Sequence, residues 1–274
     1  MTEQTSQPTK PRLRTGVALL TVVLYLVFSI VAALFARIFL GGSDASSAGR
    51  AIDSVIGSGM VANLVVMAGL LFVSIWVFRE SRHDIFFERK PFGLSRRYYL
   101  FPLIWFGVAL FALTQVDFAA YSVRDLLLVV VATLAIAVNE EIVTRGTLLV
   151  GLRNSGVTEW LAWLITVVVF AALHLVNVLG GGNLSIVFIV VTGGTLLYVS
   201  RRVSGNLFVP IGLHAFYDTA FYLLTGKYAE GASLPGHVLD IQLASFLVLL
   251  VASILFWIFG RKLLRQETTG WPAN

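Results

Sequence analysis

The sequence predicts an all-α polytopic membrane protein, a bundle of about eight transmembrane helices with both termini in the cytoplasm. Three observations lead there. Of 274 residues, 57% are hydrophobic and only 13% are charged, and the mean hydropathy is +0.85. An ordinary soluble domain carries about 25% charged residues, so this chain lacks the polar surface to cover a globule. Its apolar residues gather into runs close to the ~20 residues that a bilayer core requires. Its basic residues gather in alternate connections between those runs, which is an orientation signal.

Eight runs qualify as spans, at residues 17–40, 60–78, 98–115, 126–149, 160–179, 184–200, 207–224 and 241–260. In lipid only helices and closed barrels satisfy the backbone, and runs this long without alternation read as helices. The first run exceeds the apolar core of a cleaved signal peptide, typically 7–15 residues, and is expected to remain as an anchor. Residues 1–16 and 264–274 are polar and are expected to be mobile cytoplasmic tails. Between them lie a unit of three spans (17–116) with a basic link at 79–97, and a core unit at 117–263.

The connections then sort by charge. Lys10, Arg12 and Arg14 precede the first span, and Arg79, Arg82, Arg89, Lys90, Arg96 and Arg97 follow the second. Arg145 and Arg153 close the fourth, Arg201 and Arg202 the sixth, and Arg261, Lys262 and Arg265 the eighth. The alternate connections hold little: Arg50 with Arg37 at its edge, Arg124, Lys227, and no base at 180–183. Basic links on one side of an even number of spans place both termini inside, in a multi-pass protein of the cytoplasmic membrane. Within the 79–97 link, Ile85, Phe86, Phe87 and Phe92 alternate with bases, as in an interfacial helix on anionic lipid or a solvated loop anchored by aromatics. The net charge of +5 is scattered between apolar runs, so no nucleic-acid partner is expected; the absence of cysteine excludes disulfides and thiolate metal sites.

Against this background a few titratable residues stand out. Residues 126–138 carry no charge, and the chain then reads Asn139-Glu140-Glu141-Ile142-Val143-Thr144-Arg145. An ionised group in hydrocarbon costs several kcal/mol, so such residues usually face a polar cavity. Helical neighbours four apart share a face, which stacks Glu141 on Arg145 in the favourable orientation for an ion pair. Glu141 then reads as structural, and Glu140, pointing elsewhere, is free to face a cavity. His174 follows Phe170 by four on the fifth span, with Asn177 along the same stripe; on the seventh, His214 and Asp218 are four apart. Taken singly, each has a bland role: a histidine bonding a neighbouring helix, a Glu141–Arg145 clasp, an aspartate orienting its histidine. Together they describe a polar site built between helices.

These motifs, Glu-Glu-x-x-x-Arg at 140–145, Phe-x-x-x-His at 170–174 and His-x-x-x-Asp at 214–218, resemble in order and spacing the signatures of the CAAX-protease and bacteriocin-processing (CPBP, or Abi) family of intramembrane proteases. The resemblance covers roughly residues 126–224. It implies that residues 117–263 form a catalytic membrane core with Glu140 as general base, His174 assisting it, and His214 with residue 218 polarising the scissile carbonyl. Glu141 and Arg145 would support them. The last position is commonly Asn in that family and is Asp218 here; an ionised carboxylate cannot donate to an oxyanion. Asp218 is then protonated, or orients His214, or ligates a metal. The implied activity is hydrolysis of a peptide bond in a membrane-associated protein or peptide, with the lipid bilayer as surroundings and no cofactor. A Zn²⁺ route competes, with Glu140, His174, His214 and Asp218 as ligands, although no His-Glu-x-x-His helix is present. Two other classes use similar residues: a non-catalytic scaffold or immunity protein of the same family, and an ion-coupled transporter. For the transporter, glycines at 180–182 and 193–194 would interrupt the later spans, without a matching pair in the first half. Counted along the spans at about 1.5 Å per residue, Glu140 and His214 lie near mid-membrane and His174 further out.

Overall fold

Every predicted span falls on a helix. The computed structural model describes residues 13–39, 48–88, 96–179, 185–226 and 236–259. Most of the two tails, the bases Lys10, Arg12, Arg89, Lys90, Lys227, Arg261, Lys262 and Arg265, and Phe92 lie outside the described residues, as do glycines 180–182. Helix α1 is Thr15–Phe39, and α2 is Ala48–Phe72, which widens into a π turn at Val73–Val77. The short α3, Arg82–Phe86, sits in the basic link; a 3₁₀ turn at Arg96–Tyr99 leads into α4, Leu100–Leu113. The fourth span is α5 (Val123–Glu141), a π segment at Ile142–Leu148, and α6 (Leu149–Asn154). Helices α7 (Glu159–Leu179), α8 (Ser185–Ser204), α9 (Phe208–Leu224) and α10 (Val238–Phe259) complete the bundle. Among the described residues there is no strand, only one isolated bridge between Phe87 and Asn206.

Five of these helical stretches are long and apolar enough to cross a bilayer by length and composition: Thr15–Ala32, Met60–Val77, Val123–Asn154, Val187–Ser204 and Val238–Phe259. Shorter apolar helices at Arg97–Leu113 and Glu159–Leu175, together with α9, fill the bundle between them. The outward faces are apolar, with Phe28, Leu103, Leu127 and Leu247 exposed. Such a surface is stable only against lipid. The chain is an integral membrane protein.

Local chemistry sets the ends. Ser122 and Asp125 form a reciprocal capping box at the start of α5, each side chain accepting from the other's backbone N–H. Gly205, at φ +74°, stops α8 and turns the chain back into α9. Inside the bundle α9 is central, packed against α4, α5 and α8, while α7 lies along α8 and α2 along α5.

Two sequence expectations change. Gly193 and Gly194 do not interrupt their span; they lie within the unbroken α8. A Cβ on Gly193 would stand 2.7 Å from the Trp105 ring, and one on Gly194 would stand 3.2 Å from both Arg145 and Phe170. Their small size admits side chains from two neighbouring helices. The basic link is neither a lipid-surface helix nor a solvated loop over its described part. Ile85 is wholly buried, Asp84 and Glu88 nearly so, and the backbone of Phe86 and Glu88 is bonded to Leu207 and Gly205.

Arg201 and Arg202 are likewise fully buried. With Arg153 they surround two carboxylates. Arg153 donates to both Glu88 oxygens at 3.0–3.1 Å and to Glu159 at 2.6 and 2.9 Å. Arg201 donates to Glu88 at 3.0 Å and to the carbonyls of Asp84 and Ile85 at 2.7 and 3.0 Å. Arg202 reaches both carboxylates at 3.4 Å, and the Tyr198 hydroxyl donates to Glu159. This layer locks the link against α6, α7 and α8 beneath the bundle.

Burial alone would raise the carboxyl of Glu88, but Arg153, Arg201 and Arg202 overrule it and hold it at about 2 against the usual 4.5. A depressed carboxylate contributes stability that is complete above its unfolded value and lost as pH falls through its folded value. The shift corresponds to about 3 kcal/mol. Glu88→Gln should therefore lower the melting temperature of the detergent-solubilised protein at pH 7, and the gap to wild type should narrow between about pH 4.5 and pH 2. A gap that stays constant across that window would show that the cluster does not depend on the Glu88 charge.

Candidate active site

The three motifs reach one place because the helices that carry them are staggered. His174 lies fifteen residues into α7 and His214 only six into α9. That difference is about 14 Å of helix at 1.5 Å per residue, yet both rings meet the same side chain. The Nε2 atoms of His174 and His214 stand 3.7 and 3.8 Å from Glu140 Oε2. The depth mismatch counted from the sequence is thus absorbed by where each helix begins. Glu159, at the foot of α7, is buried in the charge layer, and α9 starts further into the bundle, after the turn held by the Phe87–Asn206 bridge.

Glu140 lines a cavity of about 730 Å³ with His174, His214 and Asp218. Its Oε2 is buried and has no hydrogen-bond partner among the described residues. It is aimed at the gap between the two imidazoles. Asp218 Oδ2 lies 3.6 Å from the same nitrogen, His214 Nε2.

Each imidazole is oriented by its other nitrogen. His174 Nδ1–H donates to the Phe170 carbonyl at 2.9 Å, one helical turn back. His214 Nδ1–H donates to Glu141 Oε1 at 3.1 Å, across from α9 to α5. Both Nε2 atoms therefore face Glu140, as carbonyl or carboxylate partners at Nδ1 dictate.

Glu141 pairs with Arg145 at 2.8 Å, as the i,i+4 spacing predicts, both fully buried. Arg145 also donates to the Thr144 hydroxyl at 3.0 Å and to the Gly194 carbonyl at 3.0 Å. Its guanidinium lies 4.0 Å over the Phe170 ring. Phe170 presents edges or faces to both His174 and His214, at centroid distances of 4.9 and 5.8 Å. The phenylalanine of the second motif is thus the packing piece between the arginine of the first and the two histidines.

With this geometry in place, the comparison with known proteins is direct. Residues 122–220 match the family described as type II CAAX prenyl endopeptidase Rce1-like. Over these residues the chain is similar to that family. The matched stretch runs from the cap of α5 to the fourth turn of α9 and contains all three motifs. No curated protein and no solved structure matches the chain.

Several parts of this Rce1-like site have no signal in the sequence. The contact of Glu141 with His214 is one, because spacing relates Glu141 only to Arg145. Asn139 is another: its amide donates to the Asn63 carbonyl at 3.0 Å, clasping α2 to α5 beside Glu140. Trp105 is a third: its indole N–H donates to the Leu213 carbonyl at 2.9 Å, beside His214, and its ring stacks on Tyr217 at 4.3 Å. Asn63 and Trp105 both line the cavity, from outside the matched region. The side chain of Asn177 lies outside the described residues.

As for a metal, no group of three or more histidine, aspartate or glutamate side chains that could hold one is found among the described residues.

The two neighbouring glutamates should separate in a stability measurement. Glu141→Gln leaves Arg145 buried without its counter-charge, and breaking a buried pair costs about 3–5 kcal/mol. Glu140→Gln changes a carboxylate whose buried Oε2 has no hydrogen-bond partner among the described residues, and should leave thermal unfolding in detergent near wild type. Equal losses would mean that Glu140 is a structural group like its neighbour.

Proposed function

We propose that the protein is an intramembrane endopeptidase that hydrolyses a peptide bond of a membrane-associated protein or peptide, with Glu140 and His174 activating water. The observation that carries this reading is Glu140 Oε2, buried, without a hydrogen-bond partner among the described residues, and flanked by two imidazole nitrogens at 3.7 and 3.8 Å. A water molecule fits between groups at that separation and would bond to all three. The match to a family of endopeptidases supports the same reaction class.

Glu140 takes one proton from that water as its oxygen forms the bond to the scissile carbonyl carbon. His174, held by the Phe170 carbonyl, presents Nε2 to the same water and keeps it in line. The carbonyl oxygen gains the negative charge and sits against His214, which donates from Nε2 while Nδ1–H remains on Glu141. When the tetrahedral species collapses, the C–N bond breaks and the proton held by Glu140 passes to the leaving amine. Glu141 holds His214 in register and Arg145 holds Glu141, so these two position the oxyanion group without touching substrate. Asp218, beside His214 Nε2, aids the oxyanion only when it carries a proton. The apolar walls of the cavity, from Ile136, Phe188, Leu243 and Phe246, suit a peptide with apolar side chains.

Glu140→Gln keeps size and removes the base. It should lower cleavage by about 100-fold or more in membranes where the variant is inserted at wild-type level. The readout is the set of new peptide termini in the membrane fraction, compared among wild type, Glu140→Gln and a deletion strain. Termini unchanged in Glu140→Gln but lost in the deletion would replace catalysis with scaffolding. Asp218→Asn should retain cleavage and extend it to higher pH, because an amide donates at every pH. Cleavage should also persist after exhaustive chelation; loss that Zn²⁺ restores would turn the same four side chains into ligands.

A further inference from the structure

Between Met60 and Phe72 the membrane-crossing part of α2 carries one polar side chain, Asn63. An asparagine in such a span bonds across to a neighbouring helix and faces the interior of the bundle. Asn63 is half-buried and lines the cavity that holds Glu140. It lies far outside residues 122–220, which match the endopeptidase family.

The direction of its amide follows from its partner. Asn139, wholly buried on α5, donates from Nδ2 to the Asn63 main-chain carbonyl at 3.0 Å. A main-chain carbonyl only accepts, so the Asn139 amide is fixed with its nitrogen towards α2. The same nitrogen lies 3.4 Å from the Asn63 side chain, whose near atom is therefore the oxygen, Oδ1. Asn63 Nδ2 and its two hydrogens are thereby turned away from Asn139. Asn139 Oδ1 is itself buried and has no hydrogen-bond partner among the described residues. A pair that leaves a buried acceptor unsatisfied is a costly fastener. What it achieves is to hold one amide in one orientation, from the residue that precedes Glu140.

A peptide entering a cavity of low dielectric must find donors for its main-chain carbonyls, because an unpaired one costs its full desolvation penalty. In the mechanism above His174 and His214 are committed to the water and the oxyanion, and the Trp105 N–H is given to Leu213. Tyr217, Tyr222 and Gln242 are further donors in the lining. Asn63 is tied through Asn139 to the neighbour of Glu140, so a carbonyl bound to it is held at a set distance from the base.

We propose that Asn63 is a substrate-binding residue, whose Nδ2–H donates to a main-chain carbonyl of the peptide adjoining the bond that is cut, with Asn139 as its positioning residue. A carbonyl inside an intact helix is already bonded to its own chain. The contact therefore selects substrate by backbone, and takes a segment that is extended at the site. This rests on the proteolytic reading above and adds to it a binding contact from α2.

The probe is a synthetic peptide copying the sequence around a terminus that appears in wild-type membranes and not in the deletion strain, cut by the full chain in liposomes. Its flanking carbonyls are replaced one at a time by thioamides, whose sulfur accepts weakly. One position should slow the wild-type protein about fivefold. Asn63→Leu keeps the shape and removes the donor; it should raise KM for the unmodified peptide about tenfold, leave kcat unchanged, and be indifferent to the thioamide at that one position. Wild-type protein that tolerates a thioamide at every flanking position overturns the contact without recourse to any variant. So does Asn63→Leu that lowers kcat and keeps the wild-type thioamide pattern, which would make Asn63 a packing residue beside Glu140. An unchanged KM in Asn63→Leu removes this contact alone, whereas Glu140→Gln that cuts the peptide as fast as wild type removes the proteolytic reading and the contact with it.

Discussion

An ion in a medium of low dielectric must be matched by an opposite charge and by hydrogen bonds, and the buried charges of this bundle are gathered into two clusters that meet most of that demand. Arg145 has Glu141, the Thr144 hydroxyl, the Gly194 carbonyl and the Phe170 ring around it. Glu88 and Glu159 are enclosed by three guanidinium groups. Attraction between such groups is large in the interior, and it balances a desolvation cost of several kcal/mol per ion only when the geometry is this complete. Glu140 Oε2 stands outside the arrangement, aimed into a cavity that has room for water. That contrast separates Glu140, which lines the cavity, from Glu141, which is paired with Arg145 one residue away.

The two charge layers are joined through an irregularity in the helix. After Glu141 the chain passes into π geometry for Ile142–Leu148, and the Arg145 carbonyl there accepts a bond from Arg201. A π segment wraps more residues per turn than an α-helix, and such segments are frequent at functional sites. Here it lets Arg145 keep its pairing with Glu141 at 2.8 Å while its carbonyl meets Arg201. Arg201 also holds Glu88 and the carbonyls of Asp84 and Ile85. The basic link is thereby tied to the turn that follows the glutamates, so its position and theirs are set together.

Close approach is the other requirement. Gly193 and Gly194 let Trp105 press on α8 from one side and Arg145 with Phe170 from another. Lipid supplies no hydrophobic drive between helices, so this contact comes from packing and from bonds such as that of Arg145 to the Gly194 carbonyl. A larger residue at either position would push apart the helices that bring His174 and His214 to Glu140.

Much was legible in the sequence because its signals are local. Hydropathy over some twenty residues located the apolar helices among the described residues, since each must satisfy its own backbone in lipid. A spacing of four brought Glu141 to Arg145, His174 to Phe170 and His214 to Asp218, since 3.6 residues per turn makes these contacts within one helix. The ordered motifs carried the family resemblance. What joins different helices was not legible: Arg201 and Arg202 read only as an orientation signal, whereas Glu88, more than a hundred residues earlier, lies between them and Arg153. Glu141 read as a partner of Arg145 alone, and the glycines of α8 read as breaks. Only the packing decides which helices begin deeper, which charge finds which counter-charge, and which carboxylate is left facing water, because those outcomes depend on distances between segments that no spacing along the chain encodes.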